Sequence, residues 1–168
     1  DLEVRRGEVM ALVGENGAGK STLMKVLAGL HSMDSGQIFI DDVMAKIDSP
    51  AQSRDMGISF IHQELNLAPN MSVAENIFLG REKPSKKFFL DRGKTNQEAK
   101  RLLDMVGLKV STGTLVKNLS IAQRQMVEVA RALSMNSSLI VMDEPTSSLT
   151  DNETDVLLSI IKRLKQRG

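Results

Sequence analysis

Two short motifs that are typical of phosphate chemistry lie near opposite ends of the chain. Segment 14–21 reads Gly-Glu-Asn-Gly-Ala-Gly-Lys-Ser, which is the G-x-x-x-x-G-K-S spacing of a Walker A loop. Far downstream, the apolar run 139–142 is followed by Asp143 and Glu144, which is the Walker B pattern. A glycine-rich loop alone has false positives, but the two motifs in this order predict a nucleoside triphosphatase.

Composition excludes several other classes of protein. A length of 168 residues fits one domain with a hydrophobic core. Because the chain has no cysteine, disulfides and thiolate metal sites are excluded, and a reducing compartment is favoured. The formal net charge of +1 gives no electrostatic reason to expect nucleic acid as a partner. The longest apolar run, 9–13, is far shorter than the roughly 20 residues of a membrane helix, and no signal peptide precedes it. We therefore expect a soluble, cytosolic domain.

Both ends of the chain have the pattern of an α/β protein. The apolar runs 9–13, 57–61 and 139–142 each predict a strand buried in a parallel sheet. Segment 37–40, Gln-Ile-Phe-Ile, lies between turn signals and predicts a small antiparallel region.

Helix signals follow the loop and recur near the end of the chain. The residues after the loop predict a helix from about Lys20 to Leu30, with Gly29 as a stop signal. Thr150 and Glu153 match a capping box ahead of a last amphipathic helix. Its predicted apolar face consists of Val156, Leu157, Ile160, Ile161 and Leu164.

The middle of the chain is predicted to be helical. Ser72 with Glu75, and Ser120 with Gln123, both match the capping box that opens a helix. One apolar face with helical spacing, ending near Gly107, is formed by Ala99, Leu102, Leu103 and Val106.

These patterns predict one domain with two parts. Segments 1–71 and 136–168 would form an α/β core with a parallel sheet, and 72–135 would form an inserted helical subdomain. Within the insertion, the basic stretch 81–90 is interpreted as a solvated loop.

Each part of the Walker A loop has a physical task. Glycines permit backbone angles that bring main-chain N–H groups close to phosphate oxygens, with the dipole of the following helix behind them. Lys20 supplies a charge to the outer phosphates, and the Ser21 hydroxyl suits Mg²⁺. A plain glycine turn is the alternative. The predicted nucleotide-binding residues are Gly14, Glu15, Asn16, Gly17, Ala18, Gly19, Lys20, Ser21 and Thr22.

Three further residues complete the predicted chemistry. Asp143 would hold Mg²⁺ together with Ser21, and Glu144 would polarise the attacking water. Gln63, just after the 57–61 run, could reach both the metal and the water. The alternatives are an acidic pair that caps a turn and an ordinary loop glutamine.

Between these motifs, Ser120 begins a helix whose free N–H groups predict an anion site. In this stretch the chain resembles the ATP-binding-cassette ATPases, because Leu-Ser-Ile-Ala-Gln at 119–123 stands where that family usually has Leu-Ser-Gly-Gly-Gln. Gln63 matches the Q-loop of the family, and 147–151 match its D-loop. The family's P-loop (RecA-like) fold is thereby implied. Ile121 and Ala122 depart from the usual glycine pair.

The altered signature is itself similar to that of one subfamily. Segments 120–128, 62–67 and 72–77 look like the first cassette of tandem ATPases that energise bacterial monosaccharide importers of the ribose, galactose and xylose type. The resemblance implies ATP and Mg²⁺, and a second cassette whose ATP contacts Ser120, Ile121, Ala122 and Gln123. It also implies transmembrane permease subunits, which residues 64–77 would face, and a periplasmic sugar-binding protein that acts indirectly. The implied location is the inner face of the plasma membrane.

The resemblance also implies that two parts lie outside the chain. The adenine-stacking aromatic of the family is upstream of the Walker A strand, and its switch histidine is beyond Gly168. We therefore expect a cassette that is truncated at both ends, binds ATP weakly and hydrolyses it poorly.

One alternative function is a soluble cassette ATPase that acts on ribosomes or in DNA repair. Repair types usually carry a long coiled coil between the Walker motifs, and ribosomal types usually keep Gly-Gly in the signature; neither feature is present. A GTPase would need an Asn-Lys-x-Asp motif, which is also absent. A third alternative is a non-catalytic interaction fragment.

Overall fold

A computed structural model describes residues 1–15, 17–61, 66–80, 92–146 and 149–166. In chain order its elements are α1 Lys20–Leu27, β1 Ile38–Ile40, β2 Val43–Ala45, α2 Pro50–Asp55, β3 Ile58–Ile61, α3 Val73–Phe78, α4 Arg92–Met105, a 3₁₀ turn Val116–Asn118, α5 Ile121–Leu133, β4 Leu139–Met142 and α6 Asp151–Lys165. None of the helices in these ranges is long and apolar enough to cross a membrane.

Strands β3 and β4 form a parallel pair that places the Walker B carboxylates. Ile58 is in register with Leu139 and Ile61 with Met142, so both strands end at the same edge. The pairing extends one residue further, since the N–H of Asp143 donates to the carbonyl of Ile61 at 3.1 Å. Both predicted strands are confirmed, although β4 is only half-buried along its length.

Strands β1 and β2 form the predicted antiparallel region. Ile38 pairs with Ala45, and Asp41 and Asp42 form the turn with φ values of 48° and 63°. Two consecutive left-handed residues match the right-handed twist of a hairpin, and aspartate tolerates that conformation.

The prediction of a buried strand at 9–13 is wrong. The described residues give this segment no strand partner, and Val9 and Val13 are 53% and 89% exposed. Its apolar composition is that of a buried strand, but a strand forms only where a neighbour takes its backbone hydrogen bonds.

Helix α1 is shorter than predicted because Gly29 ends it. The helix stops at Leu27, and Gly29 has a φ of 69° in the left-handed region. A Cβ on Gly29 would lie 2.4 Å from the backbone carbonyl of Ser49, the residue that caps α2. Only glycine fits where the backbone at Gly29 approaches that of Ser49, so the stop signal is confirmed. The predicted helix end at Leu30 is corrected to Leu27.

The main hydrophobic core lies between the middle helices and the parallel strands. The predicted face of α4 is buried, and Gly107 follows it with a φ of 74°. Burial of one such aliphatic side chain contributes about 1.5–3 kcal/mol to folding. Fully buried members of this core (2% exposed or less) include Ile61, Val73, Ile77, Ala99, Leu102, Leu103, Val106, Val116, Val127, Val129, Ala130, Leu157 and Ile160.

The predicted helical subdomain contains α3, α4 and α5. One core cluster joins these helices to β3 and to Leu157 and Ile160 of α6, so the division at 72 and 135 remains a prediction. The face predicted for α6 is only partly buried, because Val156 is 49% exposed. The basic stretch 81–90 lies outside the described residues.

Candidate phosphate site and its surroundings

Two glycines of the Walker A loop have conformations that other residues rarely adopt. Gly17 and Gly19 have φ values of 87° and 91°. A Cβ on either would meet no atom within 4 Å, so the backbone angle and not the space requires glycine. The loop therefore keeps an open surface over its main chain, where an anion could approach closely.

The side chain of Lys20 folds onto the loop that precedes it. Its Nζ donates to the carbonyl oxygens of Gly14 at 2.5 Å and Glu15 at 2.9 Å. These bonds tie the start of α1 to the backbone at the beginning of the loop. They also place the positive charge at the mouth of the loop.

The N-terminus of α1 is free of a side-chain cap. Gly19 occupies the cap position and has no side chain that could accept from the first-turn amides. Ser21 and Thr22, in that first turn, are exposed. Uncapped amides at a helix start, next to a lysine, are the elements of a phosphate cradle. Asn16 lies outside the described residues.

The two carboxylates after β4 sit on a turn with unusual backbone geometry. Asp143 and Glu144 are exposed, and Glu144 has a φ of 43°, which is uncommon for a residue with a side chain. The next residue, Pro145, is anchored through its carbonyl, which accepts from Nε2 of the buried Gln125 at 3.2 Å. Backbone strain of this kind is concentrated at functional sites.

The donors present suit magnesium bound to a nucleotide. No group of three or more His, Cys, Asp or Glu side chains that could hold a metal occurs within the described ranges. Mg²⁺ in phosphate sites is usually held by one or two protein oxygens together with substrate phosphates and water. An exposed hydroxyl at Ser21 and an exposed carboxylate at Asp143 match that requirement.

The residues around Gln63 are only partly described. Gln63 itself is outside the described residues, as are 62, 64 and 65. Ile61 before it ends β3, and Asn66 after it is held from α5: the Asn66 N–H donates to Oε1 of Glu128 at 3.0 Å, and its carbonyl accepts from Nη1 of Arg131 at 3.2 Å.

The predicted anion site at the start of α5 has the expected cap. Ser120 Oγ accepts from the N–H of Gln123 at 3.2 Å, and Gln123 Oε1 accepts from the N–H of Ser120 at 3.0 Å. The next amides, of Ile121 and Ala122, have no hydrogen-bond acceptor in the described part of the chain. Ile121 is 50% exposed, so this helix end is open to solvent.

Two cavities lie away from the phosphate loop. One of about 250 Å³ lies among α2, β3 and α5, and its lining includes Glu128 and Arg131. The other, of about 300 Å³, is lined by Ser120 and Gln123 of α5 and by Glu153 of α6.

Sequence reasoning missed the buried polar residues of α5. Gln125 and Glu128 are only 4% and 8% exposed, and they contact the segments that follow Glu144 and Gln63. In the sequence they look like the solvated face of an amphipathic helix. Their i, i+3 spacing was the available signal, but it does not distinguish solvent from a packed loop.

Comparison with curated proteins finds relatives that share about half of the residues. The chain is 51% identical over 167 residues to a protein of Agrobacterium fabrum described as "Putative ribose/galactose/methyl galactoside import ATP-binding protein 1", covering 99% of this chain and 33% of the relative. It is 49% identical over 168 residues to the "Ribose import ATP-binding protein RbsA" of Caldanaerobacter subterraneus subsp. tengcongensis, covering 100% of this chain and 34% of that protein. The chain thus spans about a third of the length of these relatives.

Solved structures of ATP-binding cassettes have the same fold. A nucleotide-free cassette from an ABC transporter superposes with a TM-score of 0.85 at 26% identity, over 99% of this chain and 70% of the other. The ADP conformation of the cassette MJ1267 gives 0.83 at 28% identity, over 97% and 68%. The predicted P-loop α/β fold is therefore confirmed.

The family assignment rests on most of the sequence. The family model described as "ABC transporter" matches residues 1–147, which include the Walker A loop, the Ser120 helix and the Walker B carboxylates. The chain belongs to the ABC transporter family of ATP-binding proteins.

Proposed function

We propose that this chain is the part of an import ATPase that binds MgATP and hydrolyses it to drive the uptake of a monosaccharide. The observation that carries the proposal is the loop itself, where Lys20 lies at the mouth of an uncapped helix start with left-handed glycines before it. The main-chain N–H groups of the first turn, the dipole of α1 and the ammonium group of Lys20 together favour one anion at that place. The curated relatives are described as ribose or galactose import proteins, which supports the choice of cargo.

Hydrolysis is assigned to the edge of the sheet where β3 and β4 end together. Glu144 would act as the general base that polarises water, while Asp143 and Ser21 would hold the magnesium. Bound Mg²⁺ would neutralise charge on the phosphates. Gln63 follows Ile61 by two residues, and Ile61 is in register with Met142, so Gln63 and Asp143 follow neighbouring strands. This topology supports a shared role in the site.

The partner of the phosphate loop would be the signature of a second cassette. The main-chain N–H groups of Ile121 and Ala122, which are open at the start of α5, would contact ATP held by the second cassette. In return, the signature of the second cassette would cover the phosphate loop of this chain. A solved relative, described as the dimer of a cassette bound to ADP and phosphate, has the same fold (TM-score 0.78, 25% identity) and supports a two-cassette arrangement.

Membrane permease subunits would contact the segment that follows Gln63. Within 66–80 the exposed side chains include Asn70 and Glu75, whereas Val73 and Ile77 are fully buried. The predicted contact surface is therefore narrower than the whole stretch 64–77. The periplasmic sugar-binding protein would act through the permease, and the chain would work at the inner face of the plasma membrane.

The proposal is tested on the complete gene product that contains these residues, reconstituted with its permease in liposomes. We expect MgATP to bind and to be hydrolysed, and both to fall when Lys20→Ala removes the ammonium group. Binding without hydrolysis in the unaltered protein would reduce the proposal to a nucleotide-binding module. Absence of binding would refute it.

A further inference from the structure

Arg124 lies in the first turn of α5 and holds the chain on both sides of Ser120. Its main-chain N–H donates to the carbonyl of Ser120 at 2.9 Å. Its guanidinium folds back, with Nε donating to the carbonyl oxygens of Leu119 at 3.1 Å and Val116 at 3.2 Å, and with Nη2 donating to that of Lys117 at 3.0 Å. Resting on the proposed function, we infer that Arg124 is a positioning residue, which aims the open N–H groups at the start of α5 toward the ATP of the second cassette.

The peptide unit between Leu119 and Ser120 is held at both of its ends. Its carbonyl accepts from Nε of Arg124 at 3.1 Å, and its N–H donates to Oε1 of Gln123 at 3.0 Å. Because a peptide unit is planar, two such bonds fix its orientation. Ser120 then enters the helix with a φ of −63° and a ψ of 164°. The direction of the next peptide, which carries the N–H of Ile121, therefore depends on this plane.

The segment that Arg124 holds is itself fixed to another part of the fold. The main-chain N–H of Val116 donates to the carbonyl of Met71 at 3.1 Å, and that of Lys117 donates to the carbonyl of Pro69 at 2.9 Å. The side chain of Val116 is 1% exposed and belongs to the core. Since this segment is anchored by its N–H groups and by a core side chain, bonds from Arg124 to its carbonyls tie the start of α5 to a fixed frame.

Apolar packing does not fix the first turn of α5. Ile121 is 50% exposed, the next three residues are partly buried, and full burial begins only at Gln125 and Met126. Helix ends that lack such packing fray. The bonds from Arg124 to the preceding carbonyls are therefore the contacts that keep the start of α5 in one orientation. Arg124 acts through the N–H groups that it orients, and it needs no contact of its own with ATP.

Two exchanges at this position separate geometry from charge in the complete gene product, assayed without membrane subunits. Arg124→Met keeps a long, helix-forming side chain but removes every donor. We expect kcat for ATP hydrolysis to fall by about tenfold or more, since a misplacement of about 1 Å costs up to about 100-fold. Arg124→Lys keeps the charge but lacks the planar group that spans three carbonyls, so its kcat should stay below that of the unaltered protein. The dissociation constant for ATP should change little in either variant, because the phosphate loops are intact.

Val129→Ala is the control for lost stability on the same helix. Val129 is fully buried in the core, and its truncation removes apolar contacts but no hydrogen-bond donor. We expect a lower melting temperature and an unchanged kcat, measured at a temperature where circular dichroism shows all variants to be folded. The contrast between the two positions separates the orientation of the helix start from the stability of the helix.

Three results would overturn the inference. One is an unchanged kcat in Arg124→Met. Another is an equal loss of kcat in Val129→Ala, which would indicate a role in stability only. The third is full kcat in Arg124→Lys, which would show that a positive charge is sufficient. Failure of the unaltered protein to hydrolyse ATP would refute the proposed function instead, so the two failures are distinguishable.

Discussion

The ammonium group of Lys20 donates to the carbonyl oxygen of Gly14 at 2.5 Å, across the mouth of the phosphate loop. A second bond joins the same ammonium group to the carbonyl oxygen of Glu15, so the charge has two partners within its own loop. A bound phosphate would have to replace the carbonyls as the partner of the ammonium group. The loop is therefore held in place before nucleotide binds.

Replacing Lys20 by alanine should weaken ATP binding. A hydrogen bond to a charged group contributes about 1.5–3 kcal/mol, which predicts a loss of affinity of about tenfold or more. Lys25→Ala is the control, because Lys25 lies exposed in the last turn of the same helix. Titration with a fluorescent ATP analogue measures both. Equal affinities for the two variants would contradict the proposed role of Lys20.

Glu144→Gln should abolish turnover and keep ATP bound. The amide cannot accept a proton from water, and loss of a general base lowers rates by about 10²–10⁴-fold. Asp155→Asn removes an exposed carboxylate on α6 and should leave the rate unchanged. Phosphate release under single-turnover conditions is the measurement. Normal turnover in Glu144→Gln would show that a group other than Glu144 acts as the general base.

The sequence predicted the Walker residues because their chemistry is local. Loop, strand end and helix start are encoded within about ten residues, and capping boxes likewise depend on side chains three apart. The failure of 9–13 to form a strand could not be predicted in this way, since apolar composition does not show whether a neighbouring strand takes the backbone hydrogen bonds. The burial of the polar residues of α5 was missed for a related reason: whether Gln125 and Glu128 face water or a loop depends on segments distant in sequence.

Ser120→Ala and Ser72→Ala should both lower stability, but they should differ in their effect on turnover. Both serines cap a helix with a Glu or Gln three residues on, and loss of such a cap costs about 0.5–2 kcal/mol. Thermal melts should show a loss in both variants, and the larger one in Ser72→Ala, because the Ser72 hydroxyl also donates to the Glu75 carboxylate. Only Ser120→Ala should also lower ATP turnover, measured without membrane subunits, because only Ser120 lies at the proposed contact with ATP of the second cassette. Equal turnover in the two variants would count against that contact.

The stability contributed by the Glu75 charge should depend on pH. Hydrogen bonds from the side chain and the backbone N–H of Ser72 lower the pKa of Glu75 below its ordinary value of 4.5. A lowered pKa in the folded state means that the contribution is present above pH 4.5 and is lost as the pH falls through the folded value.

The comparison that isolates this charge is Glu75→Gln, whose amide oxygen can still accept from the Ser72 N–H, as Gln123 does from Ser120. Urea unfolding at neutral pH should show the original protein to be the more stable of the two. The difference should shrink to zero in acid. A difference that is independent of pH would show that the charge is not its source.

The proposed role in sugar import is tested most directly by ATP-driven uptake of radiolabelled ribose and galactose into liposomes that contain the complete gene product, its permease and its sugar-binding protein. We expect uptake of one of these sugars that requires MgATP and is lost in Glu144→Gln although ATP still binds. MgATP hydrolysis that proceeds at full rate without uptake of either sugar, or uptake that persists in Glu144→Gln, would contradict it.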